Sequence, residues 1–472
     1  MPESPSPHDN QILTAAQMRG AEEDLIAAGS SVDALMQLAG SGAAEWIWRL
    51  CAGGKVTVLS GPGNNGGDGY VLAEWIRARG GHVTVIAAGD PKTDAARSAR
   101  ERYQGPVSPP DSADFSGGQV FVDCLFGSGL ARPLSAEHVL LLTRLAEAHR
   151  QRIAVDLPSG VQSDTGMVLN EVLPAYDLTI ALGAWKYAHF LMPASAKMGT
   201  LRLVPIGVGA VEGAAYAVTR PRLSPPAADS HKYRRGLLAV VGGAMPGAAV
   251  LAGLAAQGAG AGYVKLFADS KRNVPADLVV DQGALSEVLT DDRNTAVLVG
   301  PGLGRDSVAR ERLAIALADA APVVIDADGL VLLGPRLLAE RKAPTLVTPH
   351  DGELLALERA FGCGGSGSKP DRALALAKAG GMVVVAKGPD TVIAAPDGRL
   401  GCAPRATPWL STAGTGDVLA GCIASRLATG ADGFAAACEG VWLHGEAARR
   451  CSPAFTAGEL GQMVPAALAA CL

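Results

Sequence analysis

Short apolar runs alternate with longer stretches rich in alanine and leucine along most of the chain. Runs that are apolar on both faces and are separated by helical stretches predict a largely parallel sheet, covered by helices on both sides. In the first half of the chain, the runs that predict strands are residues 55–60, 82–88, 119–126, 152–158, 178–183 and 199–206.

The pattern breaks at residues 219–230, "TRPRLSPPAADS", where three prolines within six residues predict an interdomain linker. The alternation then restarts, and we predict an α/β fold with two three-layer domains, residues 1–220 and 221–472, the first a Rossmann-like doubly wound sheet. In such sheets ligands bind at the carboxyl ends of the strands, so the residues that follow each run are the functional candidates. The predicted strands of the second half are residues 236–243, 263–267, 295–300, 321–328, 344–350 and 382–388.

Composition narrows the choice of partners. The 472 residues are 48% hydrophobic and 18% charged, with a formal net charge of -5 and no long run of one sign. This balance predicts small-molecule partners, with no nucleic acid and no membrane. The eight cysteines never form C-x-x-C, and the polar residues 1–10 are unlike a signal peptide. No apolar run reaches the roughly 18 residues that span a bilayer. Because the scattered cysteines argue against a disulfide framework in a chain this long, we expect a cytoplasmic protein.

The loop "GPGNNGGDGY" (61–70) is the first candidate site. Its first, third and sixth residues are glycines, which satisfies the G-x-G-x-x-G spacing of a nicotinamide dinucleotide fold. It also carries Asp68, in the first turn of the next predicted helix, where a carboxylate would repel a dinucleotide phosphate. A plain dehydrogenase would also need an acidic residue at the end of its second strand, whereas Asp90 comes only after the loop has begun. The loop therefore argues against a simple dehydrogenase.

Two more strands of the first half end in acidic stretches, "VDCLFGSGL" and "VDLPSG". They place Asp123 and Asp156 near strand tips, so that with Asp68 three carboxylates would converge on one crevice. A cation or a shared proton would relieve their repulsion. Asn65, Asp123 and Ser159 offer oxygen donors of the kind that suits an alkali metal ion. Capping of a helix or a loop is the alternative role for these carboxylates, and the sequence leaves it open.

The stretches "NNGGDG", "VDCLFGSGLARPL" and "AVDLPSGVQSDTG", in this order, resemble the YjeF N-terminal family, the NAD(P)H-hydrate epimerases. The resemblance covers roughly residues 10–215 and implies interconversion of the R and S forms of NADHX and NADPHX, with a potassium ion at Asn65, Asp123 and Ser159. A buried aspartate can serve as acid and base in such a reaction, and Asp156 is the first candidate and Asp68 the second. The substrate-binding residues it implies are Asn64, Asn65, Gly66, Gly67, Asp68, Gly127, Ser128, Gly129, Leu130, Ala131, Arg132, Pro133 and Asp156.

The stretch "TAGTGDVLAG" (412–421) is the sharpest signal of the second half. A glycine-rich turn runs into a helix predicted to begin near Asp417. The backbone amides of residues 413–416 and the helix dipole form an anion hole for a phosphoryl group. Asp417 can then accept a proton from a substrate hydroxyl during phosphoryl transfer, as a kinase base does. A capped turn without a ligand is the alternative interpretation.

This pattern resembles the ribokinase-like superfamily and, more narrowly, the ADP-dependent NAD(P)H-hydrate dehydratases over about residues 225–470. The resemblance implies a ribokinase-like α/β domain that uses ADP, with Mg²⁺ on its phosphates, to dehydrate the S form to NADH or NADPH, and Asp417 as a catalytic residue. The stretches that carry it are residues 231–266, 300–304, 326–330, 348–354 and 387–393. The residues implied to meet the hydrated substrate are Gly302, His350, Asp351, Gly352, Glu353 and Asp417. Those implied to hold the nucleotide are Lys387, Gly388, Pro389, Asp390, Thr391, Thr407, Thr412, Ala413, Gly414, Thr415 and Gly416.

Together the two resemblances imply repair of hydrated cofactors, with NADHX, NADPHX and ADP as partners, AMP and phosphate as products, and a homo-oligomer. A vitamin-precursor kinase shares the G-T-G-D motif but leaves the motifs of the first half unexplained. A catalytically silent nucleotide-binding scaffold would have lost its carboxylates, which are all present. Residues 231–233 open the second domain and are either part of the site or a solvated linker edge. The sequence does not choose between NADHX and NADPHX, nor between ADP and ATP.

Overall fold

The computed structural model describes residues 10–112, 115, 117–271 and 274–472. Residues 1–9, which form most of the segment that is unlike a signal peptide, lie outside the described residues. The chain divides into two compact units, Met1–Ala217 and Val218–Leu472, which we call the first and the second unit. Residues 219–230, all of them described, contain no helix or strand. No described helix is long and apolar enough to cross a membrane.

Strands and helices alternate along most of the first unit. Its strands are β1 (Gln11–Leu13), β2 (Val56–Ser60), β3 (Val83–Ala87), β4 (Val107–Ser108), β5 (Gly118–Cys124), β6 (His149–Val155), β7 (Leu178–Leu182), β8 (Trp185–Lys186), β9 (Thr200–Val204) and β10 (Ala215–Ala217). Its helices are α1 (Ala15–Ala27), α2 (Val32–Cys51), α3 (Asn64–Ala78), α4 (Asp94–Arg102) and α5 (Ala136–Ala148).

The sheet of the first unit has the order β4–β3–β2–β5–β6–β7–β9, and every neighbouring pair is parallel. The chain builds outward from β2 through β3 to β4, and then returns to add β5 on the other side of β2. The carboxyl ends of β2 and β5 therefore flank the point where the strand order reverses, which is where ligands bind in folds of this class. β1 pairs with β8 and β10 outside this sheet.

Both faces of this sheet are covered by helices. Val58 of β2 lies in a buried cluster with residues of α2 and α3, whereas its neighbour Leu59 lies in a second cluster with residues of α5. Successive side chains of a strand point to opposite faces, so the two clusters are the two sides of one sheet. The predicted three-layer, doubly wound α/β fold is confirmed for this unit.

The second unit repeats the alternation with different loops. Its strands are β11 (Leu237–Val241), β12 (Tyr263–Phe267), β13 (Val279–Asp281), β14 (Asn294–Val299), β15 (Val323–Ile325), β16 (Thr345–Val347), β17 (Val383–Ala386), β18 (Val392–Ala394) and β19 (Leu400–Cys402). Its helices are α6 (Pro246–Gly258), α7 (Leu285–Leu289), α8 (Ser307–Ala318), α9 (Asp328–Leu332), α10 (Pro335–Leu338), α11 (Asp351–Phe361), α12 (Lys369–Gly380), α13 (Thr415–Ala428), α14 (Gly433–Arg450) and α15 (Ala457–Ala469).

The strands of the second unit run in the order β13–β12–β11–β14–β15–β16–β17–β18–β19. They are parallel as far as β17, and β18 and β19 extend the sheet in antiparallel fashion. Leu238 and Val240 of β11 pack with residues of α6 and α13 in a buried core. The predicted α/β class is confirmed here too. The antiparallel strands were not predicted, because three-residue strands around a polar turn leave too short an apolar run to recognise.

Candidate active sites

The loop from β2 into α3 packs so tightly against backbone that it needs its glycines. A Cβ on Gly61 would lie 1.8 Å from the Leu125 carbonyl oxygen, and one on Gly66 would lie 1.9 Å from the Gly61 carbonyl oxygen. A Cβ on Gly67 would meet a side chain of α2 at 2.5 Å. Ser60 Oγ donates to the Gly66 carbonyl at 2.9 Å and closes the turn. The glycine spacing thus lays the start of α3 against the carboxyl end of β5.

Asn64, Asn65 and Asp68 all lie in α3, at different depths. Asn64 is exposed and accepts a 2.6 Å hydrogen bond from Thr93 Oγ1. The side-chain amide of Asn65 is buried without a hydrogen-bond partner among the described residues. Asp68 is buried one turn further along, and the first turn of α3, which is fully described, contains no acidic residue. The predicted first-turn position of Asp68 is therefore wrong, and its carboxyl does not cap the helix, whose N-cap is Gly63.

Asp123, at the end of β5, is a buried hub of hydrogen bonds. Its Oδ1 accepts from Ser159 Oγ at 2.7 Å and from Leu125 N at 3.1 Å. Its Oδ2 accepts from Ser159 N at 2.9 Å and from the Tyr176 hydroxyl at 2.5 Å. Burial raises the pKa of the Asp123 carboxyl, and these donors oppose the rise. Ser159 Oγ also accepts from Phe126 N at 2.9 Å, so two of the three predicted cation ligands touch each other and the segment after β5.

Asp156 follows β6 with a φ of 65°, a left-handed conformation that residues other than glycine rarely adopt. Its carboxylate accepts from Ser128 N at 2.8 Å through Oδ2 and from Lys186 Nζ at 2.6 Å through Oδ1. Its carbonyl oxygen lies 2.8 Å from His189 Nε2. His189 Nδ1 accepts from Lys186 N at 2.9 Å, which leaves the ring proton on Nε2. Asp156, Lys186 and His189 therefore form a closed ring of hydrogen bonds.

The pKa values of the two carboxyls in this crevice, Asp156 and Asp68, are shifted in opposite directions. Burial raises the pKa of Asp156, but the adjacent Lys186 ammonium outweighs it, so that the pKa lies below its usual value. Burial raises the pKa of Asp68 well above its usual value, and the carboxyls of Asp156 and Glu22 add to the rise. Burial, followed by Lys186, lowers the pKa of His189 to about 4. At neutral pH Asp156 is therefore ionised and His189 uncharged, whereas Asp68 is the carboxyl of the crevice whose environment favours the protonated form.

The predicted substrate loop 127–133 meets this crevice at its beginning. A Cβ on Gly127 would lie 2.8 Å from Asp156 Oδ2 and 3.3 Å from the Asn65 amide carbon. Ser128 N, next along the chain, holds Asp156. Leu130 packs against the cluster that contains α5. The rest of the loop is exposed at Gly129, Ala131, Arg132 and Pro133. The structure therefore brings Asn65, Gly127, Ser128 and Asp156 together, and substrate contacts by the later loop residues stay predictions.

Sequence reasoning missed the crevice residues outside the acidic stretches. Lys186 stands in the apolar segment "LTIALGAWKYAHF" (178–190), and a lysine in such a segment is a usable signal, because buried lysines are paired. No pattern in the sequence marks the others, since their roles depend on which distant strands meet. The missed residues are Glu22, Tyr176, Lys186 and His189.

The turn before α13 has the geometry of an anion-binding helix start. The helix begins at Thr415, two residues before the predicted position, and its N-cap Gly414 has a φ of 91°, which favours glycine. Thr415 Oγ1 lies 2.8 Å from the Leu410 carbonyl oxygen and 2.9 Å from that of Thr412, so this hydroxyl holds the turn. Thr412 and Ala413 are exposed ahead of it. The dipole and the amides at the helix start favour an anion at this point, although one of the predicted amides, Thr415 N, already donates to the Thr412 carbonyl at 3.4 Å.

Asp417 lies in the first turn of α13, beside a buried ion pair. Burial raises the pKa of its carboxyl to about 6, Asp326 adds to the rise and Lys387 opposes it. Lys387 Nζ donates to Asp326 Oδ1 at 2.6 Å. A Cβ on Gly416 would lie 3.6 Å from Lys387 Nζ and 3.9 Å from Asp326 Oδ2. The predicted base, the predicted phosphate-binding lysine and the anion hole therefore converge at the start of α13.

Asp326 and Asp328 follow β15 and flank Ala327, whose φ of 48° lies in the left-handed region. Asp328 Oδ1 accepts from Arg305 Nε at 2.7 Å, and its Oδ2 accepts from Gly304 N at 3.0 Å. The loop after β14 thus holds one carboxylate of the pair, which leaves Asp326 to face Lys387 and Asp417.

Two glycine loops interlock at the carboxyl ends of β11 and β14. A Cβ on Gly302, whose φ is 63°, would lie 2.1 Å from the Met245 carbonyl oxygen, and one on Gly243 would lie 2.2 Å from the Leu303 carbonyl oxygen. Met245 N donates to the Gly302 carbonyl at 2.9 Å. The close packing explains why Gly302 is a glycine, and its contact with substrate stays a prediction.

His350 and Glu353 form a capping box at the start of α11. His350 Nδ1 accepts from Gly352 N at 3.0 Å and from Glu353 N at 3.3 Å, while Glu353 Oε2 accepts from His350 N at 2.9 Å. The imidazole is 63% exposed, and Asp351 beside it lies 3.5 Å from Lys369 Nζ. The cap accounts for this pair by itself, so substrate contact by residues 350–353 stays a prediction.

The segment after β17 is a tight loop closed by its own side chains. Thr391 Oγ1 donates to the Gly388 carbonyl at 2.9 Å and accepts from Gly388 N at 3.3 Å. Lys369 Nζ donates to the buried Asp390 at 2.8 Å and to the Lys387 carbonyl at 3.1 Å. The Asp390 carboxylate is therefore engaged by Lys369. Pro389 is exposed, and Thr407 is half-buried at the N-cap of a short 3₁₀ helix, Pro408–Leu410.

Residues 231–233 pack at the opposite edge of the second sheet. Lys232 Nζ lies 4.6 Å from the ring centre of Tyr263, the residue that begins β12. The rings of Tyr233 and Tyr263 lie 5.6 Å apart. Since these contacts are at the amino ends of the strands, they are remote from the start of α13, and the structural interpretation of this segment is favoured.

Known proteins match both halves of the chain. The family model described as YjeF-related protein N-terminus matches residues 32–188, and the one described as NAD(P)H-hydrate dehydratase matches residues 238–468. The bifunctional NAD(P)H-hydrate repair enzyme Nnr of Gloeobacter violaceus is 34% identical over 92% of this chain and 92% of its own length. That of Mycobacterium leprae is 33% identical over 92% of this chain and 93% of its own length.

A solved structure also resembles the chain. The ADP/ATP-dependent NAD(P)H-hydrate dehydratase from Bacillus subtilis, co-crystallized with ATP/Mg²⁺, is 27% identical with a TM-score of 0.47, over 53% of this chain and 95% of its own. The sequence matches confirm both resemblances drawn from the motifs. The chain belongs to the family of bifunctional NAD(P)H-hydrate repair enzymes.

Proposed function

We propose that this chain repairs hydrated nicotinamide dinucleotides with two activities, one in each unit. The first unit interconverts the R and S forms of NADHX and NADPHX, and the second uses ADP to dehydrate the S form, giving AMP and phosphate. One observation carries the proposal: each unit holds a carboxyl at the carboxyl edge of its sheet, Asp156 bonded to Ser128 N and Lys186 Nζ in the first, and Asp417 in the first turn of α13, beside the Lys387–Asp326 ion pair, in the second. A vitamin-precursor kinase needs only the second of these sites, and a silent scaffold needs neither.

The epimerase step follows from the chemistry of the hydrate. Its hydroxyl is on the ring carbon next to the ring nitrogen. Asp68 donates its proton to this hydroxyl, the carbon–oxygen bond breaks, water leaves, and the nitrogen lone pair forms a planar iminium. Water then adds to the opposite face and returns a proton to the carboxyl pair, which restores the catalyst. The ionised Asp156 offsets the positive charge of the iminium.

Asn65, Asp123 and Ser159 are proposed to hold a potassium ion. The buried amide of Asn65 has no hydrogen-bond partner among the described residues, and such a group calls for one. A Cβ on Gly127 would lie 3.3 Å from the Asn65 amide carbon, and Phe126 N donates to Ser159 Oγ, so the segment after Asp123 passes beside both of the other proposed ligands. The amide, carboxylate and hydroxyl oxygens of these three side chains are hard donors of the kind that suits an alkali ion. The ion would add fixed positive charge to a crevice rich in carboxyls.

In the second unit Asp417 is the proposed base. With a pKa of about 6 it is ionised at neutral pH, and it accepts the hydroxyl proton as the substrate oxygen attacks the terminal phosphorus of ADP. AMP leaves; the phosphorylated ring carbon then expels phosphate, and loss of a proton from the neighbouring carbon restores the double bond. Lys387 and the amides at the start of α13 offset the charge of the transferred group. Mg²⁺ would be held chiefly by the phosphates of ADP, as is usual where a protein offers no ready cage.

The test uses purified protein, a mixture of both NADHX epimers, and ADP, and follows the returning absorbance of the reduced nicotinamide. Both epimers should be consumed by the wild type, only the S form by Asp156→Ala, and neither by Asp417→Asn. Asp177→Asn, which changes a surface carboxylate paired with Arg152, is the matched control and should behave as wild type. No recovery with either ADP or ATP would contradict the dehydratase. An Asp156→Ala protein that clears the R form at the normal rate would remove that residue from the epimerase.

We also propose that the protein acts in the cytoplasm as a homo-oligomer. All eight cysteines, each of them described, are free thiols, as a reducing compartment would keep them. Light scattering after size-exclusion chromatography measures the assembly directly, and a mass equal to one chain would contradict the oligomer.

A further inference from the structure

The segment 185–189 carries two buried side chains to which the epimerase step above gives no part. The Lys186 side chain is 2% exposed, and a buried ammonium is strongly destabilising unless it is well paired. Its Nζ donates to Asp156 Oδ1 and to the Leu182 carbonyl oxygen, both at 2.6 Å. The Leu182 contact anchors the ammonium to the end of β7. The fold therefore retains a costly charge and fixes it at one carboxylate oxygen.

The other contacts of Asp156 fix its orientation as well. Ser128 N donates to the second carboxylate oxygen, so the plane of the carboxylate is set by donors from two different segments, the loop after β5 and strand β8. The bond from His189 Nε2 to the Asp156 carbonyl holds the left-handed backbone of that residue. His189 is itself held by Lys186 N. Hydrogen bonds from one short segment, residues 185–189, therefore hold both the side chain and the main chain of Asp156.

We propose that Lys186, supported by His189, is a positioning residue of the epimerase: it holds the Asp156 carboxylate in place within the crevice that Asp68 shares. The proposal rests on the epimerase function proposed above. Asp156, whose carboxylate bonds the Lys186 ammonium, is then the anionic carboxyl of the pair, and Asp68, which has no such bond, is the proton donor.

The charged surroundings of Asp156 give this role a measurable signature. Lys186 and His189 face it from the segment after β7, Asp68 from α3 and Glu22 from α1, where Arg19 in turn faces Glu22. Without Lys186, Asp156 would be left among carboxyls and a neutral imidazole. Its pKa would then rise, and the acid limb of the epimerase pH profile would move to higher pH.

The experiment compares Lys186→Met, Lys186→Arg and Lys197→Met with the wild-type chain. Lys197 is the matched control, a partly buried lysine of the same unit whose Nζ donates to the Leu173 carbonyl at 3.0 Å. Epimerisation is measured as consumption of the R form, and dehydration of the S form in the second unit is the internal control. Lys186→Met should lose about 100-fold in epimerisation with its acid limb moved to higher pH. Lys186→Arg should recover part of the rate, and Lys197→Met should match wild type.

Melting temperatures show whether the Lys186→Met protein loses activity because it unfolds or because Asp156 is no longer held in position. If Lys186→Met melts early, the double variant Lys186→Met with Asp156→Asn should regain the lost melting temperature, because no buried charge then stays unpaired. A double variant that melts as early as the single one would overturn the proposal, because Lys186 would then matter for packing rather than for Asp156. So would a Lys186→Met protein with wild-type rate and pH profile. If the wild type itself does not interconvert the epimers, the proposed epimerase function is contradicted, and all variants will show the same lack of R-form consumption.

Discussion

Asp417→Asn is expected to make the second unit more stable at neutral pH while it removes dehydration. The Asp417 carboxyl has a pKa of about 6 instead of 3.8, because of burial and the neighbouring Asp326. Between these values the folded state keeps a proton that the unfolded chain has lost. The stability this proton gives is fully present below pH 3.8 and is lost as the pH rises through about 6. At neutral pH the wild type therefore holds an ionised carboxylate that its surroundings disfavour, and asparagine does not.

The size of the gain follows from the shift. A rise from 3.8 to about 6 is worth roughly 3 kcal/mol between the two protonation states. Asp417 is partly exposed, so solvent screens part of this, and we expect a gain of about 1–2 kcal/mol. Asp397→Asn is the matched control: a hydrogen bond from Arg399 N lowers the pKa of this exposed carboxyl, so its replacement should not stabilise the unit.

The assay is urea unfolding at neutral pH, with pulse proteolysis of the second unit as the readout, because two units do not unfold as one two-state system. Dehydration of the S form with ADP is measured on the same samples. The stability difference should shrink towards zero below pH 3.8, where Asp417 is protonated in both states. An Asp417→Asn protein that is no more stable than wild type at neutral pH would refute the electrostatic argument. One that still dehydrates the S form would remove Asp417 as the base.

Three further predictions concern the packed loop from β2 into α3, the proposed cation site and the proposed nucleotide-binding loop, residues 387–391. Gly61→Ala should lower the free energy of unfolding of the first unit by about 3 kcal/mol in urea titrations, since its Cβ would lie 1.8 Å from a carbonyl oxygen. Gly63→Ala, whose Cβ would meet no described atom within 4 Å, should lose far less, and equal losses would contradict the packing argument. Replacing K⁺ by tetramethylammonium should lower the melting temperature of the wild type but not of Asn65→Leu; a K⁺ effect that survives in the variant would exclude the site. Thr391→Ala should raise the KM for ADP several-fold at unchanged kcat, because both hydrogen bonds that close its loop are lost, and an unchanged KM would mean that other contacts hold the loop.

The fold class and the acidic strand ends were predictable from sequence because each depends on neighbours along the chain. Asp123 and Asp156 each come at or directly after a buried strand, and parallel strands bring such ends to one edge. Asp68 was correctly placed in the crevice, although its position within α3 was wrong by one turn. The antiparallel strands β18 and β19 escaped prediction, because a three-residue strand carries almost no periodicity.

The rest of the site depends on pairings between distant segments. Lys186 lies 30 positions from Asp156, and only the parallel pairing of β6 with β7 brings them together. That pairing decides which aspartate bonds the Lys186 ammonium, so sequence alone could not separate Asp156 from Asp68. At His350 and Glu353 the residues are close in sequence, but their three-residue spacing fits both a ligand site and a capping box. The structure shows that they form the capping box.

The crevice of the first unit is bordered by tightly packed glycines, which hardly tolerate substitution, and by an exposed loop, which can accept other side chains. Where a side chain would begin on Gly61, Gly66 or Gly127, an atom already lies within 1.8, 1.9 or 2.8 Å, so any amino-acid replacement there must displace existing structure. Residues 129 and 131–133, on the other side, are exposed. On the predicted substrate contacts of residues 127–133, laboratory evolution towards other hydrated nucleotides should therefore concentrate its libraries on this exposed loop.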